Sequence, residues 1–524
     1  MKRLLLFWLG LVLLPHLALA HIGSPNVFFE GQAGPYPVRV TVRPPGVIPG
    51  LAEISVRVTG GRPERVAALP IHWNVGKKGA PPPDPARLVR GETNLYTAEL
   101  WFMKAGAESV EVQINGDRGP GSVVVPVNAV AVRRLAMPGF LGGLLVVLGG
   151  LLVGLGVTIA SAAFRQSVLP PGVALDRGKR WPYRGGMVLV VVFFLGNLWL
   201  GKQWWDREDA DYRNNRLFRP LAASAQTLVQ NGQRRLRLTI DDESYGHRAS
   251  TPPLVPDHGK LMHLFLVREP MLDAFAHLHP VMADQSTFET PLPDLPAGDY
   301  RAYADITLES GFTHTITASV KIPATPTNAL ARAFEKTGFD RDDSWHLCEP
   351  IAKPVKAADR NTLTSYLSPE YFMTWLQNGP LIENHEVQIR LAVRGESGQL
   401  VPLEPYMGML SHVIARRDDG SVFTHLHPSG SVSMAALQLA TLRVEGKLPS
   451  AAAFGKDEPI CKLPSVEESQ TEWLRMNAPG VGYSFSIPYE FPKAGTYRLW
   501  VQVKINGQVY TGVFDVLVRS ANAS

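Results

Sequence analysis

A repeated histidine motif is the feature of this sequence best suited to chemistry. The tetrad His-Leu-His-Pro begins at His277 and again at His425. Alternate residues of a β-strand point to the same side of the sheet, so we expect the two imidazoles of each tetrad to share one face. Imidazole is a ligand of copper, zinc, nickel and iron. The tetrads therefore predict two hairpins that present metal ligands.

Further candidate ligands lie near both tetrads. A preceding strand carries one more histidine, which the intervening turn is expected to bring beside the tetrad. When the two segments are aligned, His258 of the first falls at the position of Met407 in the second. Thioether sulfur selects copper(I), so this mixture favours copper, with zinc as the alternative ion. The metal ligands predicted around the tetrads are His258, His263, His277, His279, Met407, Met409, His412, His425, His427 and Met434.

The same histidines also have a plainer interpretation. Two buried, hydrogen-bonded imidazoles can stabilise a hairpin without binding a metal. Such structural histidines would also occur twice, because the hairpin itself is repeated. Repetition of the whole arrangement, with an opposed histidine and nearby methionines, favours the metal hypothesis. Under that hypothesis the chain binds one copper ion for each tetrad.

The N-terminus predicts export and offers a second candidate copper site. Residues 1–20 combine a basic start, an apolar run and a small-residue ending, which is typical of a cleaved signal peptide. Cleavage after Ala20 would make His21 the first residue. Its α-amine and imidazole, together with the imidazole of His72, would then form a T-shaped copper site. The alternatives are an uncleaved anchor, and a His21 that merely follows a cleavage point.

Two apolar stretches predict a transmembrane hairpin. Residues 135–164 and 185–205 are long enough, with flanking aromatic residues, to cross a bilayer. Neither stretch has an ionisable residue in its middle, which favours an anchor over an ion pathway. The positive-inside rule assigns the connecting loop, 165–184, to the cytoplasm. The charged residues of this loop are Arg165, Arg177, Lys179, Arg180 and Arg184, against Asp176. The chain is therefore predicted to cross a bacterial inner membrane twice, with both terminal parts in the periplasm.

The remaining sequence predicts a mainly β protein with an internal repeat. Alternating apolar residues and frequent proline and glycine are typical of β-sandwiches. A turn containing Ala-Gly opens a strand in three places. We therefore predict three immunoglobulin-like β-sandwich domains outside the membrane, at 21–130, 232–323 and 384–519.

Two segments interrupt this pattern and contain both cysteines. Residues 325–380 are predicted to be partly helical, at 329–336 and 368–376, and contain Cys348. Residues 431–481 form an insertion in the third sandwich and contain Cys461. Because thiols pair readily in an oxidising compartment, we predict a Cys348–Cys461 disulfide. The alternative is a pair of free, possible metal-binding thiols.

Composition excludes several classes of function. Two cysteines are too few for a zinc-finger framework, a cysteine-ligated iron–sulfur cluster or a disulfide-dense scaffold. Neither cysteine is grouped with histidine and methionine as a blue-copper site requires. A formal net charge of +5 over 524 residues provides no basic stripe for nucleic acid. No Ser/His/Asp or Cys/His arrangement has local support as a hydrolase.

Two parts of the chain resemble known families. The start at His21, followed by a small β region, resembles the periplasmic copper-resistance proteins of the CopC family and other histidine-brace copper proteins. The tetrad segments resemble FixH/YtkA-like β-sandwich modules of bacterial membrane-anchored proteins, which are often associated with heavy-metal transport. The resemblance implies copper handling outside the membrane. The chain departs from CopC in length and topology. The ligands that the resemblance implies are His21, His263, His277, His279, His412, His425 and His427.

These observations predict a membrane-anchored periplasmic metal-binding protein that serves copper tolerance or delivery without catalysis. One alternative is a copper-dependent oxidase or monooxygenase that uses the His21 brace. Another is a structural or interaction subunit of a metal-transporting pump or a respiratory oxidase, in which the histidines only support the fold. The inner membrane and such a pump or oxidase are the expected partners.

Overall fold

The computed structural model describes residues 25–168, 170–173, 180–230, 233–241, 254–324, 338–351, 362–376, 379–448 and 484–521. The expectation of a mainly β chain is confirmed, with several sheets and two long apolar helices. The described residues of Ala131–Phe218 form one unit, and the other described residues form a second. The predicted signal peptide, His21 and Cys461 lie outside the described residues.

The first β region packs two sheets around one hydrophobic core. One sheet has the order β1-β2-β3-β7-β6 and the other β5-β4-β8-β9. Alternating Val and Ile side chains of β2, β3, β8 and β9 fill the space between them. The strands are β1 (Val27–Ala33), β2 (Tyr36–Arg43), β3 (Gly50–Val58), β4 (Pro63–His72), β5 (Asp84–Pro85), β6 (Arg87–Leu88), β7 (Leu95–Phe102), β8 (Gly106–Gly116) and β9 (Gly119–Ala129).

The unit Ala131–Phe218 consists of two long helices, α1 (Gly139–Val168) and α2 (Arg180–Asp211), followed by a short π-helix, Tyr212–Arg216. Both are long and apolar enough to cross a membrane, over Gly139–Ala163 and Arg184–Arg216. The first helix begins at Gly139, four residues after the start of the predicted stretch 135–164. Its first backbone hydrogen bond runs from Gly142 N–H to the Pro138 carbonyl. The second extends past both ends of the predicted 185–205, which shortens the connecting segment.

The second β region also has two sheets on a common core. Their orders are β10-β11-β16-β15 and β12-β17-β13-β14-β19, with β18 paired to β17. The strands are β10 (Ala223–Gln230), β11 (Gln233–Ile240), β12 (Leu254–Val255), β13 (His263–Glu269), β14 (Ala274–Leu278), β15 (Val281–Met282), β16 (Thr287–Pro291), β17 (Gly298–Leu308), β18 (Thr313–Ile322) and β19 (Ser344–Leu347).

The third β region repeats this arrangement and adds a helix, α3 (Met434–Val444), whose N-cap is Ser433. Its sheets have the orders β20-β21-β23-β26 and β22-β28-β27-β24-β25 and share one core. The strands are β20 (Thr362–Tyr366), β21 (Tyr371–Leu376), β22 (Leu381–Ile382), β23 (Glu386–Gly395), β24 (His412–Arg417), β25 (Phe423–Leu426), β26 (Ser484–Glu490), β27 (Gly495–Ile505) and β28 (Gln508–Arg519).

The prediction of a helix at 368–376 is wrong, since this segment forms β21. Met373 and Trp375 point into the core and alternate with less buried residues, which is the period of a strand. The described parts of the predicted insertion 325–380 therefore contribute β19, β20 and β21 to the two flanking regions. The second region accordingly begins before residue 232, with β10, and the third before residue 384, with β20. The predicted helix at 329–336 lies outside the described residues.

The second and third regions pack against each other through equivalent surfaces. Phe275 stacks on Trp500 with ring centroids 5.1 Å apart, and Phe423 stacks on Tyr303 at 3.8 Å. Strand pairing makes Phe275 equivalent to Phe423, and Tyr303 equivalent to Trp500. Each region thus offers the same aromatic pair to the other, as the subunits of a two-fold symmetric dimer do.

Candidate metal centre

Seven histidine rings meet where the second and third regions pack together. His258 lies 5.1 Å from His412 between ring centroids, and His263 lies 5.7 Å from His425. The two tetrads, predicted as separate sites, therefore contribute to one group of side chains. We call this group the histidine cluster; its members are His258, His263, His277, His279, His412, His425 and His427.

The hairpin β13–β14 positions the histidines of the second region. Phe265, and not His263, is the direct cross-strand partner of His277. His263 lies two residues before Phe265 on the same face, and its Nδ1 is 3.1 Å from Nε2 of His277. In the third region, Nδ1 of His412 is likewise 3.1 Å from Nε2 of His425. The same residue pattern thus produces the same pair of facing nitrogens twice.

The outer nitrogens of the first pair fix where its protons lie. Nε2 of His263 is 3.1 Å from the backbone carbonyl of Asp257, which can only accept a hydrogen bond. Nδ1 of His277 is 2.8 Å from Oε1 of Gln502, whose amide nitrogen donates to Ser344. Both outer nitrogens therefore carry the hydrogen. The two inner nitrogens, 3.1 Å apart, then point lone pairs at each other.

The second pair repeats this arrangement. Nε2 of His412 donates to the backbone carbonyl of Tyr406 at 3.0 Å. Nδ1 of His425 lies 3.3 Å from a carboxylate oxygen of Asp305. Two neutral imidazoles in these tautomers have no proton to share between His412 Nδ1 and His425 Nε2. A cation held between them would turn this repulsion into coordination.

Other ring nitrogens of the cluster are buried without a hydrogen-bond partner among the described residues. They are Nε2 of His279 and both ring nitrogens of His427. The Nδ1 of His279 donates to the Asp343 carboxylate at 2.9 Å, which leaves a lone pair on Nε2. An unsatisfied buried polar group costs about 1–3 kcal/mol, so these atoms fit metal ligation better than hairpin bracing.

The cluster contains two sets of nitrogens close enough to share an ion. One ring nitrogen from each of His263, His277 and His279 lies within 4.8 Å of the others, and the same holds for His258, His412 and His427. We call these the first set and the second set. His258 belongs to the second region, yet it groups with histidines of the third. The second set is therefore built from both regions.

Burial keeps these imidazoles in the form that binds metals. It lowers the pKa of every ring in the cluster, so all seven are neutral at pH 7. Burial also raises the pKa of Asp305 to about 6 and that of Asp343 to about 7. A bound cation would favour the ionised form of both carboxyl groups.

Five supporting groups were not predicted from the sequence. They are the backbone carbonyls of Asp257 and Tyr406 and the side chains of Asp305, Asp343 and Gln502. Asp305 and Gln502 occupy equivalent positions, because Asp305 pairs across the sheet with His263 and Gln502 pairs with His412. The signal was present, because each follows the tyrosine of the repeated Gly-x-Tyr turn by the same number of residues. Asp343 has no counterpart in that repeat.

The methionines predicted as ligands lie near the cluster in the chain. Met407 occupies the turn before β24, and Met409 in the same turn is buried. Met434 begins α3, with its sulfur 3.9 Å from the Ser429 hydroxyl. That Met407, Met409 and Met434 bind the metal stays a prediction.

The other predicted site residues are not part of the cluster. His72 ends β4 in the first region, and its proposed partner His21 lies outside the described residues. Cys348 contacts the Leu272 carbonyl and the Arg498 guanidinium, and burial raises the pKa of its thiol to about 11. Since Cys461 is also outside the described residues, the disulfide stays a prediction.

Replacing Gln502 with leucine is expected to weaken copper binding by about 10–100-fold, the usual cost of losing a group that orients a metal ligand. Leucine fills a similar volume but cannot accept the hydrogen bond from His277 Nδ1, so the ring loses its fixed tautomer. Competition with a chromogenic copper chelator measures the affinity. Gln508→Leu, at an exposed position of β28, is the matched control. Equal affinities for the two variants would contradict the role of Gln502.

Comparisons with known proteins define the chain only in part. A family model described as a domain of unknown function (DUF8832) matches residues 221–324 and 369–455, which contain the whole histidine cluster. No curated protein matches the chain. The part of the chain that holds the cluster is therefore similar to a family whose description states no function.

Two solved structures match the chain at low identity and low structural similarity. Latent PorU from Porphyromonas gingivalis is 8% identical over 95% of this chain, with a TM-score of 0.13. The D1–D4 fragment of the ICAM-5 ectodomain is 9% identical over 95% of this chain and 84% of its own, with a TM-score of 0.12. The chain covers 34% of the PorU chain. At these TM-scores neither likeness defines the fold.

Proposed function

We propose that this protein is a membrane-anchored copper-binding protein that holds copper in its histidine cluster on the periplasmic side of a bacterial inner membrane. Its role is copper tolerance or delivery. The observation that carries the proposal is the facing of imidazole lone pairs, at 3.1 Å in each of two equivalent pairs. A ligand atom about 2.0–2.1 Å from a metal accommodates such a separation between neighbouring nitrogens.

The donor set favours copper, with zinc as the alternative. Imidazole serves both ions, whereas the methionines near the cluster add thioether groups that select copper(I). Carboxylate and carbonyl partners on the outer nitrogens are the usual support for metal-bound histidines. Cysteine, the other soft ligand, is scarce in this chain.

The cluster is better suited to holding a metal ion than to catalysing a reaction at one. Catalytic metal sites keep an open coordination position for substrate, whereas closed sites hold their ion with protein ligands. His277 and His412 have no exposed surface, and His263, His279 and His427 are also buried. His258 is partly exposed, and we expect an ion to enter beside it.

The anchoring helices and the β regions complete the proposal. The two apolar helices form a transmembrane hairpin whose basic connecting segment faces the cytoplasm. The three β regions are immunoglobulin-like sandwiches on the other side, each with two sheets on one core. A metal-transporting pump or a respiratory oxidase in the same membrane is the partner that supplies or receives the ion.

Copper titration of the purified, detergent-solubilised protein tests this function. We expect about two copper ions per chain by elemental analysis after removal of free metal, because the cluster offers two sets of nitrogens. Zinc is titrated in parallel. Absence of stoichiometric uptake of either ion would refute the metal centre, and uptake of zinc alone would refute copper.

A second candidate function, a copper enzyme built on the His21 brace, is favoured by one observation in the first region. Nε2 of His72 is buried without a hydrogen-bond partner among the described residues, and so is Oε2 of Glu108, the cross-strand partner of His72. Burial raises the pKa of Glu108 to about 8. N-terminal sequencing, followed by oxygen consumption with a reductant, tests this candidate. A mature start other than His21 removes it.

A further inference from the structure

The two turns that precede the first histidine strands have the same backbone. In the second region, Asp257 and Lys260 form an isolated bridge, and His258 between them has a φ of 52°. In the third region, Tyr406 and Met409 form the same bridge, and Met407 has a φ of 50°. The two turns are therefore structurally equivalent, and they exchange an imidazole for a thioether.

Each turn is tied to its own region in the same way. The Asp257 carbonyl accepts a hydrogen bond from His263 at 3.1 Å, and the Tyr406 carbonyl accepts one from His412 at 3.0 Å. Gly259 and Gly408 follow with φ values of 79° and 78°, so both central residues of each turn have the positive φ of a type I′ turn. The side chains of His258 and Met407 therefore leave equivalent positions of the same backbone, and His258 is a member of the cluster.

His258 reaches across to the other region. Its ring centroid is 5.1 Å from that of His412 and 5.2 Å from that of His427, and it shares the second set with them. Under the two-fold relation between the regions, His412 and His427 correspond to His263 and His279. By the same relation, we expect Met407, the equivalent of His258, to reach toward His263 and His279.

We propose that the cluster holds two copper ions in unequal sites, one completed by the thioether of Met407 and the other by the imidazole of His258. This inference rests on the proposed copper-binding function. The first site consists of His263, His277, His279 and Met407. The second consists of His258, His412 and His427 together with His425, whose Nε2 faces Nδ1 of His412 at 3.1 Å.

The exchange of imidazole for thioether gives the two sites different preferences for the oxidation state of copper. Thioether sulfur is soft and selects copper(I), whereas imidazole also suits copper(II). The site with Met407 therefore retains reduced copper. The site with His258 accepts either oxidation state. One centre thus offers two kinds of copper binding within a few ångströms.

X-ray absorption spectroscopy of the full-length protein loaded with two equivalents of copper(I) tests the assignment. We expect a copper–sulfur contribution of about half a sulfur per copper, since one of two ions has a thioether ligand. Met407→Leu removes this contribution, while Met409→Leu and Met434→Leu, the neighbouring methionines, retain it. Met407→His replaces the sulfur by nitrogen, so the copper–sulfur contribution disappears while two copper ions stay bound.

The outcomes separate this inference from the proposed function. Two bound coppers with no sulfur in the wild-type spectrum would overturn the role of Met407 and leave copper binding intact. A sulfur contribution that survives Met407→Leu and disappears in Met434→Leu would overturn it as well. Failure to bind copper at all would refute the proposed function itself. Circular dichroism of each variant confirms that the fold is retained.

Discussion

Replacing His277 and His425 together with leucine is expected to abolish tight binding of both copper ions. Each ring supplies one nitrogen of a facing pair. In the double variant, each of the two facing pairs therefore keeps one imidazole nitrogen in place of two. The loss should exceed the roughly 100-fold upper range for removing an orienting group, because a ligand itself is removed. Isothermal titration calorimetry or chelator competition measures the affinity.

Leucine is chosen because it fills about the same space as imidazole without offering a lone pair, and His277 already packs on the Phe265 ring at 4.4 Å. His385→Leu is the control, since this histidine is exposed and its Nδ1 lies 2.9 Å from the backbone carbonyl of Glu383. Copper binding by the double variant within threefold of the control would show that the tetrads brace the hairpins and do not bind metal.

Replacing Trp500 with alanine is expected to lower the free energy of unfolding by about 3–5 kcal/mol, the usual cost of truncating a buried aromatic residue. Trp500 has no exposed surface and stacks on Phe275 at the interface between the two regions. Its loss opens a cavity beside the strand that carries His277. Copper affinity should therefore fall together with stability, as measured by denaturant unfolding with and without copper.

Trp101→Ala provides the matched control for this variant. Trp101 is 56% exposed on β7 of the first region, and surface replacements usually change stability by less than about 0.5 kcal/mol. If Trp500→Ala destabilised the protein but left copper affinity unchanged, the packing of the two regions would not support the cluster.

Local patterns in the sequence predicted the elements of the cluster well. Alternation in each tetrad predicted two imidazoles on one face, and the repeat predicted that His263 and His412 hold equivalent positions. These inferences depend on the period of a strand and on short turns, which neighbouring residues determine. The equivalence of His258 and Met407 was also visible in the alignment of the two segments.

The meeting of the two tetrads could not be predicted in this way. It depends on packing between Phe275 and Trp500, and between Tyr303 and Phe423, which are far apart in the chain. The hydrogen bonds from His277 to Gln502 and from His425 to Asp305 likewise cross between regions. The error at 368–376 has a similar origin, because pairing with β23 decides the conformation of that segment.

A pair of related regions explains why the cluster is nearly symmetric yet chemically uneven. Equivalent strands place equivalent histidines around the two-fold relation, as identical subunits would. A single chain, however, can vary each half independently, as it does at His258 and Met407, and at Asp305 and Gln502. Differences of this kind are not available to a homodimer.

Anomalous diffraction at the copper edge, from crystals of the copper-loaded full-length protein, tests the central claim most directly. Two anomalous peaks are expected within the histidine cluster, one among His263, His277 and His279 and one among His258, His412 and His427. Peaks only elsewhere, such as beside His72, or no peak in the cluster of a protein shown to contain copper, would contradict the account.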